Sequence, residues 1–117
     1  MQKRILTILL LLGLTGCASA VTEPEKQLSW ISDADPQQDA RAAIARGDFR
    51  LMAMAQRSLV IPGVDREDSY RYELKCGVHI MQGVSDVIRN QNHLELMKQA
   101  HRYALKYNAY MKQHCQP

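Results

Sequence analysis

Three cysteines, four histidines and the adjacent Ser85-Asp86 are the residues of this chain first weighed for chemistry. Cys76 and His79 are three positions apart, and a thiolate beside an imidazole can act as nucleophile and base. The stretch reads as extended chain, where odd spacing sends two side chains to opposite faces, so the pair is not expected to act together. Ser85-Asp86 with His79 or His93 has the residue types of a hydrolase set. Residues 83–87 read Gly-Val-Ser-Asp-Val, which lacks the Gly-x-Ser-x-Gly elbow. Ser and Asp at that point are expected to cap a turn or helix instead. His79, His93, His101 and His114 lack close ligand spacing: His93 and His101 are eight apart, two helical turns. Solvated helix positions are expected for them, and no catalytic set, metal or cofactor is expected.

A second group sits near the C-terminus. Arg102, Tyr103, Lys106 and Tyr110 give the last helical stretch an aromatic and basic flank. Between Asn90 and the C-terminus, Glu95 is the only acidic side chain. Aromatic residues and arginine are enriched at interface centres, so these four are the expected interaction face for an envelope protein or an anionic envelope polymer.

The first residues set the address. Lys3 and Arg4 precede an apolar run from Ile5 to Leu14, which ends in the small residues Gly16, Cys17, Ala18, Ser19 and Ala20. A basic start, a short apolar core and a small-residue exit describe an export signal. The run is about half the roughly 20 residues a membrane-spanning helix needs. Leu14-Thr15-Gly16-Cys17 resembles the lipobox of bacterial lipoproteins. That resemblance implies cleavage before Cys17, a diacylglycerol on its sulfur and an acylated (palmitate-type) amino group. Two or more chains hold a protein on a membrane, each buried methylene contributing about 0.8 kcal/mol. The residue after the cysteine is Ala18 rather than Asp, which by the same resemblance implies the periplasmic face of the outer membrane.

On this reading 101 of the 117 residues remain, enough for one small domain. The leader holds Lys3, Arg4 and no acid, so the net charge falls from +3 to +1 on its removal. A near-neutral exported chain makes no electrostatic case for nucleic acid. With Cys17 carrying lipid, two thiols remain in an oxidising compartment, and a Cys76–Cys115 disulfide is expected.

The elements follow. Residues 17–35 read as a flexible tether, with Trp30-Ile31 expected to dock. Residues 36–117 read as a small α+β domain. Asp35-Pro36 begins a helix whose face holds Ala40, Ala43 and Ile44, stopped at Gly47. Residues 49–61 fit both periods, and the strand is favoured. Asp65 or Asp68 caps a short helix, and residues 76–81 form a second strand, giving a βαβ-like unit. Asn92, with Glu95 three residues on, is expected to cap a long helix whose stripe is Met97, Ala100, Ala104, Tyr107 and Met111. From about 40 to 112 the chain is loosely similar to small uncharacterised bacterial proteins. They share Gly-Asp-aromatic-Arg (Gly47 to Arg50), Pro-Gly-Val (Pro62 to Val64), Gly-Val (Gly77, Val78), Gly-x-Ser-Asp (Gly83, Ser85, Asp86) and a terminal helix with Tyr103, Ala104, Tyr107 and Asn108. The resemblance implies strands but no activity. The expected role is a non-catalytic accessory or interaction lipoprotein. The alternative is a small periplasmic enzyme or ligand-binding protein, which a polar pocket gathering His79, Asp86 and His93 would favour.

Overall fold

The computed structural model describes residues 21–55 and 58–117. The leader, the lipobox and Cys17 lie outside them. The fold is α+β: four helices and a three-stranded mixed sheet, with α1 Glu23–Gln27, a 3-10 turn Ile31–Asp33, α2 Pro36–Ala45, β1 Leu51–Ala55, β2 Leu59–Val60, α3 Arg66–Cys76, β3 Val78–Ile80 and α4 Gln91–Met111. Among the described residues no helix is long and apolar enough to cross a membrane.

The stretch expected as a tether is built structure from Thr22 onward. Thr22 and Glu25 form a capping box around the first turn of α1. Leu28 and Ile31 are buried in the core. Their spacing of three puts both on the side that faces α4, and apolar burial outweighs the entropy of a free segment. Trp30 sits between them, its indole Nε1 donating to the Gln27 carbonyl at 2.9 Å.

α2 starts and stops as its residues demand. The Asp35 carboxylate accepts from the backbone N–H of Gln37 and Gln38 at 3.1 and 3.2 Å, and Gly47 ends the helix at φ +80°. The chain then enters β1, the middle strand. β2 pairs with it antiparallel, and β3 pairs parallel on the other edge, with Leu51, Met52 and Ala53 opposite Val78, His79 and Ile80. β1 is covered on both faces, so Leu51, Met52, Ala53 and Met54 are all buried. A strand buried on both sides loses the polar alternation that identifies strands, which is why residues 49–61 fit two periods.

α3 crosses from β2 to β3. Asp65 occupies its cap position without a side-chain bond, and Cys76 closes the helix rather than opening the strand. Gly77 makes the reversal at φ +80°. Its N–H donates to Glu73 at 3.0 Å, and its carbonyl accepts from Leu51 N–H at 3.0 Å. Only from Val78 is the chain a strand. The Cys76 and Cys115 sulfurs stand at bonding distance, 2.02 Å, tying the end of α3 to the end of α4 across 39 residues.

α4 is the spine of the domain. Ala100, Ala104, Tyr107 and Met111 are buried as the period requires, and Met97 is half-buried beside them. The cap is Asn90, not Asn92. Asn90 has extended backbone and its Oδ1 accepts from His93 N–H at 2.8 Å. The Asn92 carboxamide donates instead to Glu25. Asn108 is buried within the stripe. Its Oδ1 accepts from Met52 N–H at 2.7 Å, and its Nδ2 donates to the Met52 and Pro62 carbonyls at 2.9 and 2.8 Å.

Candidate ligand cleft

Four aromatic rings and two pairs of opposite or complementary polar groups converge between the 3-10 turn, α2, β1, β3 and the middle of α4. They line a cleft of about 410 Å³, whose walls include Trp30, Asp39, Arg46, Asp48, Arg50, His79, Tyr103 and Tyr107. The rings run in sequence. Trp30 meets Tyr103 edge-on with centroids 5.0 Å apart, Tyr103 stacks on Tyr107 at 6.0 Å, and His79 meets Tyr107 edge-on at 5.9 Å. Such pairs add to the stabilisation from burial alone.

Asp48 and Arg50 come from the short extended segment between Gly47 and β1. A spacing of two places both side chains on one side of extended chain. The Asp48 carboxylate takes both prongs of the guanidinium, Oδ1 from Nε at 2.9 Å and Oδ2 from Nη2 at 3.0 Å, plus the Arg50 N–H at 3.2 Å. These donors hold the Asp48 carboxyl at about 2, well below the usual carboxylate range, and raise the guanidinium's proton affinity in return. Arg50 can lie here because residue 77 has no side chain: a Cβ on Gly77 would come 3.1 Å from Arg50 Cγ.

On α2, Asp39 accepts a 2.5 Å bond from the Tyr103 hydroxyl. Burial first, and that carboxylate second, push the Tyr103 phenol far up, so it remains a donor. Burial also raises Tyr107. On β3, His79 is half-buried and its Nε2 is enclosed with no hydrogen-bond partner. Desolvation and the nearby Arg50 charge lower its pKa, only partly opposed by Asp48. Both effects favour the neutral imidazole, whose enclosed Nε2 is a buried polar atom without a partner behind the cleft wall.

The groups weighed for catalysis do not meet. Ser85 Oγ donates to the Val87 carbonyl at 2.8 Å, a local turn bond. Asp86 lines a separate hollow with His101. His93, expected on a solvated face, is fully buried. The 83–90 loop folds over the first turn of α4 and engages both its nitrogens: Arg89 N–H donates to Nδ1 at 3.1 Å, and Nε2 lies 2.8 Å from the Gly83 carbonyl. These partners place the proton on Nε2, and the ring is a structural pin. Cys76 is half-buried and bonded to Cys115, whereas His79 faces the cleft. Among the described residues no three His, Cys, Asp or Glu side chains gather as metal ligands do.

The expected interaction face divides. Arg102 and Lys106 are exposed and Tyr110 is half-buried, with the Arg41 guanidinium 5.7 Å from its ring centroid. Tyr103 belongs to the buried stripe and turns toward Asp39. The 102, 106, 110 series and the 100, 103, 107 series are adjacent rows of one helix, and only the second packs inward. Asp39, Asp48, Arg50 and Trp30 were not legible as site residues. For Asp48 and Arg50 the one signal is the Gly-Asp-aromatic-Arg string, with acid and base two apart; Asp39 and Trp30 have none. Comparison with known protein families, curated proteins and solved structures finds no match to this chain.

Proposed function

We propose that this protein is a lipid-anchored, non-catalytic binding module of the bacterial envelope, held on the periplasmic face of the outer membrane through Cys17. Its cleft takes a small, uncharged, hydroxyl-rich ligand with one flat apolar face, as a sugar ring has. The observation that carries this is a cleft walled by aromatic rings, with the His79 ring and a pre-paired Asp48–Arg50 among its polar groups. Ligand sites combine apolar and aromatic walls with a few fixed polar groups. The charges of Asp39 and Asp48 offset those of Arg46 and Arg50, so the lining favours neither a strong anion nor a strong cation. Both carboxylates are already held by donors and keep lone pairs for hydroxyl groups.

The sequence contains one tryptophan, Trp30, and it lines this cleft. Titration with neutral linear oligosaccharides, followed by tryptophan emission, tests the reading directly. Saturable change is expected, with affinity falling about tenfold for His79→Gln or Asp48→Asn, the loss of roughly one hydrogen bond to a charged or buried group. Absence of any response in a protein that circular dichroism shows to be folded would overturn it. A protein partner is the second reading, favoured by Tyr70 and Leu74, which are 66% and 68% exposed at a spacing of four on α3. Crosslinking in envelopes from a Leu74→Asp strain separates the two: loss of a specific crosslinked species would favour the partner.

A further inference from the structure

Apart from the cleft, the described surface has one place where apolar exposure, loop position and chain path coincide: the 83–90 loop at the N-terminal end of α4. Val87 and Ile88 are adjacent in sequence and 59% and 53% exposed. Ile88 continues inward to a hollow lined also by Val84, Leu94 and Met97. Ser85, Asp86, Lys98 and His101 rim the same hollow, so the exposed pair stands as an aliphatic tip beside a mixed surface.

The loop is tied to the point where the chain enters the domain. Glu25 Oε1 accepts from Thr22 Oγ1 at 3.0 Å and from Asn90 Nδ2 at 2.6 Å, while Oε2 accepts from Asn92 at 2.5 Å. Thr22 and Asn90 therefore meet at a single carboxylate oxygen, and Ile88 is two residues from Asn90. Gly83, at the start of the loop, packs on the same helix: a Cβ there would fall 2.7 Å from both Leu28 Cγ and the Pro24 carbonyl. Cys17 lies five residues before Thr22, and five residues reach at most about 18 Å. Docking of residues 22–35 shortens the tether from the expected nineteen residues to this handful.

We infer that the Val87–Ile88 loop is a membrane contact, seated in the headgroup region of the bilayer that holds the Cys17 lipid. This rests on the lipid-anchor reading above. The acyl chains sit in a bilayer whose headgroup layer is about 5–8 Å deep on each side, so the chain's entry point stays close to the lipid surface. An exposed aliphatic pair beside that entry point gains by leaving water for it. The local charges nearly balance, with Lys26 and Arg89 set against Glu23, Glu25 and Asp86, and the Glu25 carboxylate is occupied by Thr22, Asn90 and Asn92. The geometry also sets the height of the cleft. Tyr103 and Tyr107 follow Asn90 by 13 and 17 residues, about 20–26 Å along α4, so the loop stands at one end of the helix and the ligand site well up its length.

The test uses the acylated mature protein, beginning at Cys17, in vesicles of phosphatidylethanolamine and phosphatidylglycerol. Two single-indole variants are compared, Trp30→Phe with Ile88→Trp, and Trp30→Phe with Gln113→Trp at the far end of α4. Brominated lipid is expected to quench the indole at position 88 several-fold more than that at 113, with a blue-shifted emission only at 88. Equal, weak quenching at both positions in protein that floats with the vesicles would overturn the contact and leave the anchor standing. Protein that fails to float with the vesicles would overturn the anchor, and the contact with it. A Val87→Asp, Ile88→Asp variant that keeps its circular dichroism supplies a second arm: it should stay anchored through lipid yet become more accessible to trypsin at Arg89.

Discussion

Asn108 takes the place of a missing strand neighbour. Leu51 and Ala53 direct their backbone groups to β3, so Met52 directs its own to the other edge, where β2 no longer runs alongside. The carboxamide satisfies both Met52 groups and the Pro62 carbonyl. Asn108→Ala should lower unfolding stability by roughly 2–4 kcal/mol, because buried backbone groups lose their partners. Urea denaturation would measure it, and Asn108→Asp should be no better, since a carboxylate cannot donate to two carbonyls. Titratable residues set the pH response. Glu25 falls to about 2, chiefly through the Asn90 and Asn92 carboxamides, and Asp48 falls to about 2 through Arg50. Both lie below their unfolded values, so the unfolded chain takes up protons first as pH falls. Stability is present above about pH 4.5 and is lost between there and about pH 2. His79 is lowered as well, so the unfolded chain again protonates first, and stability declines as pH drops below about 6.5. His79→Gln should remove that upper decline in pH-dependent thermal melts and leave the acid one.

At the scale of elements, the links between helices carry more than the helices themselves. The Cys76–Cys115 bond closes 39 residues between the ends of α3 and α4. By chain entropy it contributes about 4 kcal/mol. Cys76→Ala, Cys115→Ala should unfold at a correspondingly lower urea concentration, with α3 the first element to lose protection in hydrogen exchange, since Tyr72 is its only buried residue. Gly83 makes the complementary case. Its φ of +96° and the 2.7 Å approach to α1 leave no room for a side chain. Gly83→Ala should cost about 2 kcal/mol or more, and it should free α1, which thermal melts combined with Trp30 emission would detect.

For the whole molecule, the decisive feature is the docking of residues 22–35. Leu28 and Ile31 enter the core, Glu25 bonds the start of α4, and Trp30 completes the cleft. A chain begun at Asp35, the expected edge of the folded domain, should lose about 4 kcal/mol or more from the two aliphatic side chains alone. Comparing its denaturant midpoint with that of a chain begun at Val21 checks this. The same docking ties residues 22–35, the 83–90 loop and the cleft together through α1, Glu25 and α4.

The sequence by itself determined the helix limits at Asp35 and Gly47, the long stripe of α4, and which two sulfurs would meet. Each depends on local conformational preference, a 3.6-residue period or simple counting. Strand choice over 49–61 was legible only in part, since a central strand has no exposed face to reveal it. Of the cleft only His79 and Tyr103 were singled out, each with the wrong companions. Asp39, Asp48, His79 and Tyr103 are ordinary surface or stripe residues until α2, β1, β3 and α4 bring them together across as many as 64 positions. Tertiary structure decided which histidine would be pinned by backbone and which left without a partner. Hydrogen-bond satisfaction depends on neighbours in space, and the spacing of residues along a chain does not contain them.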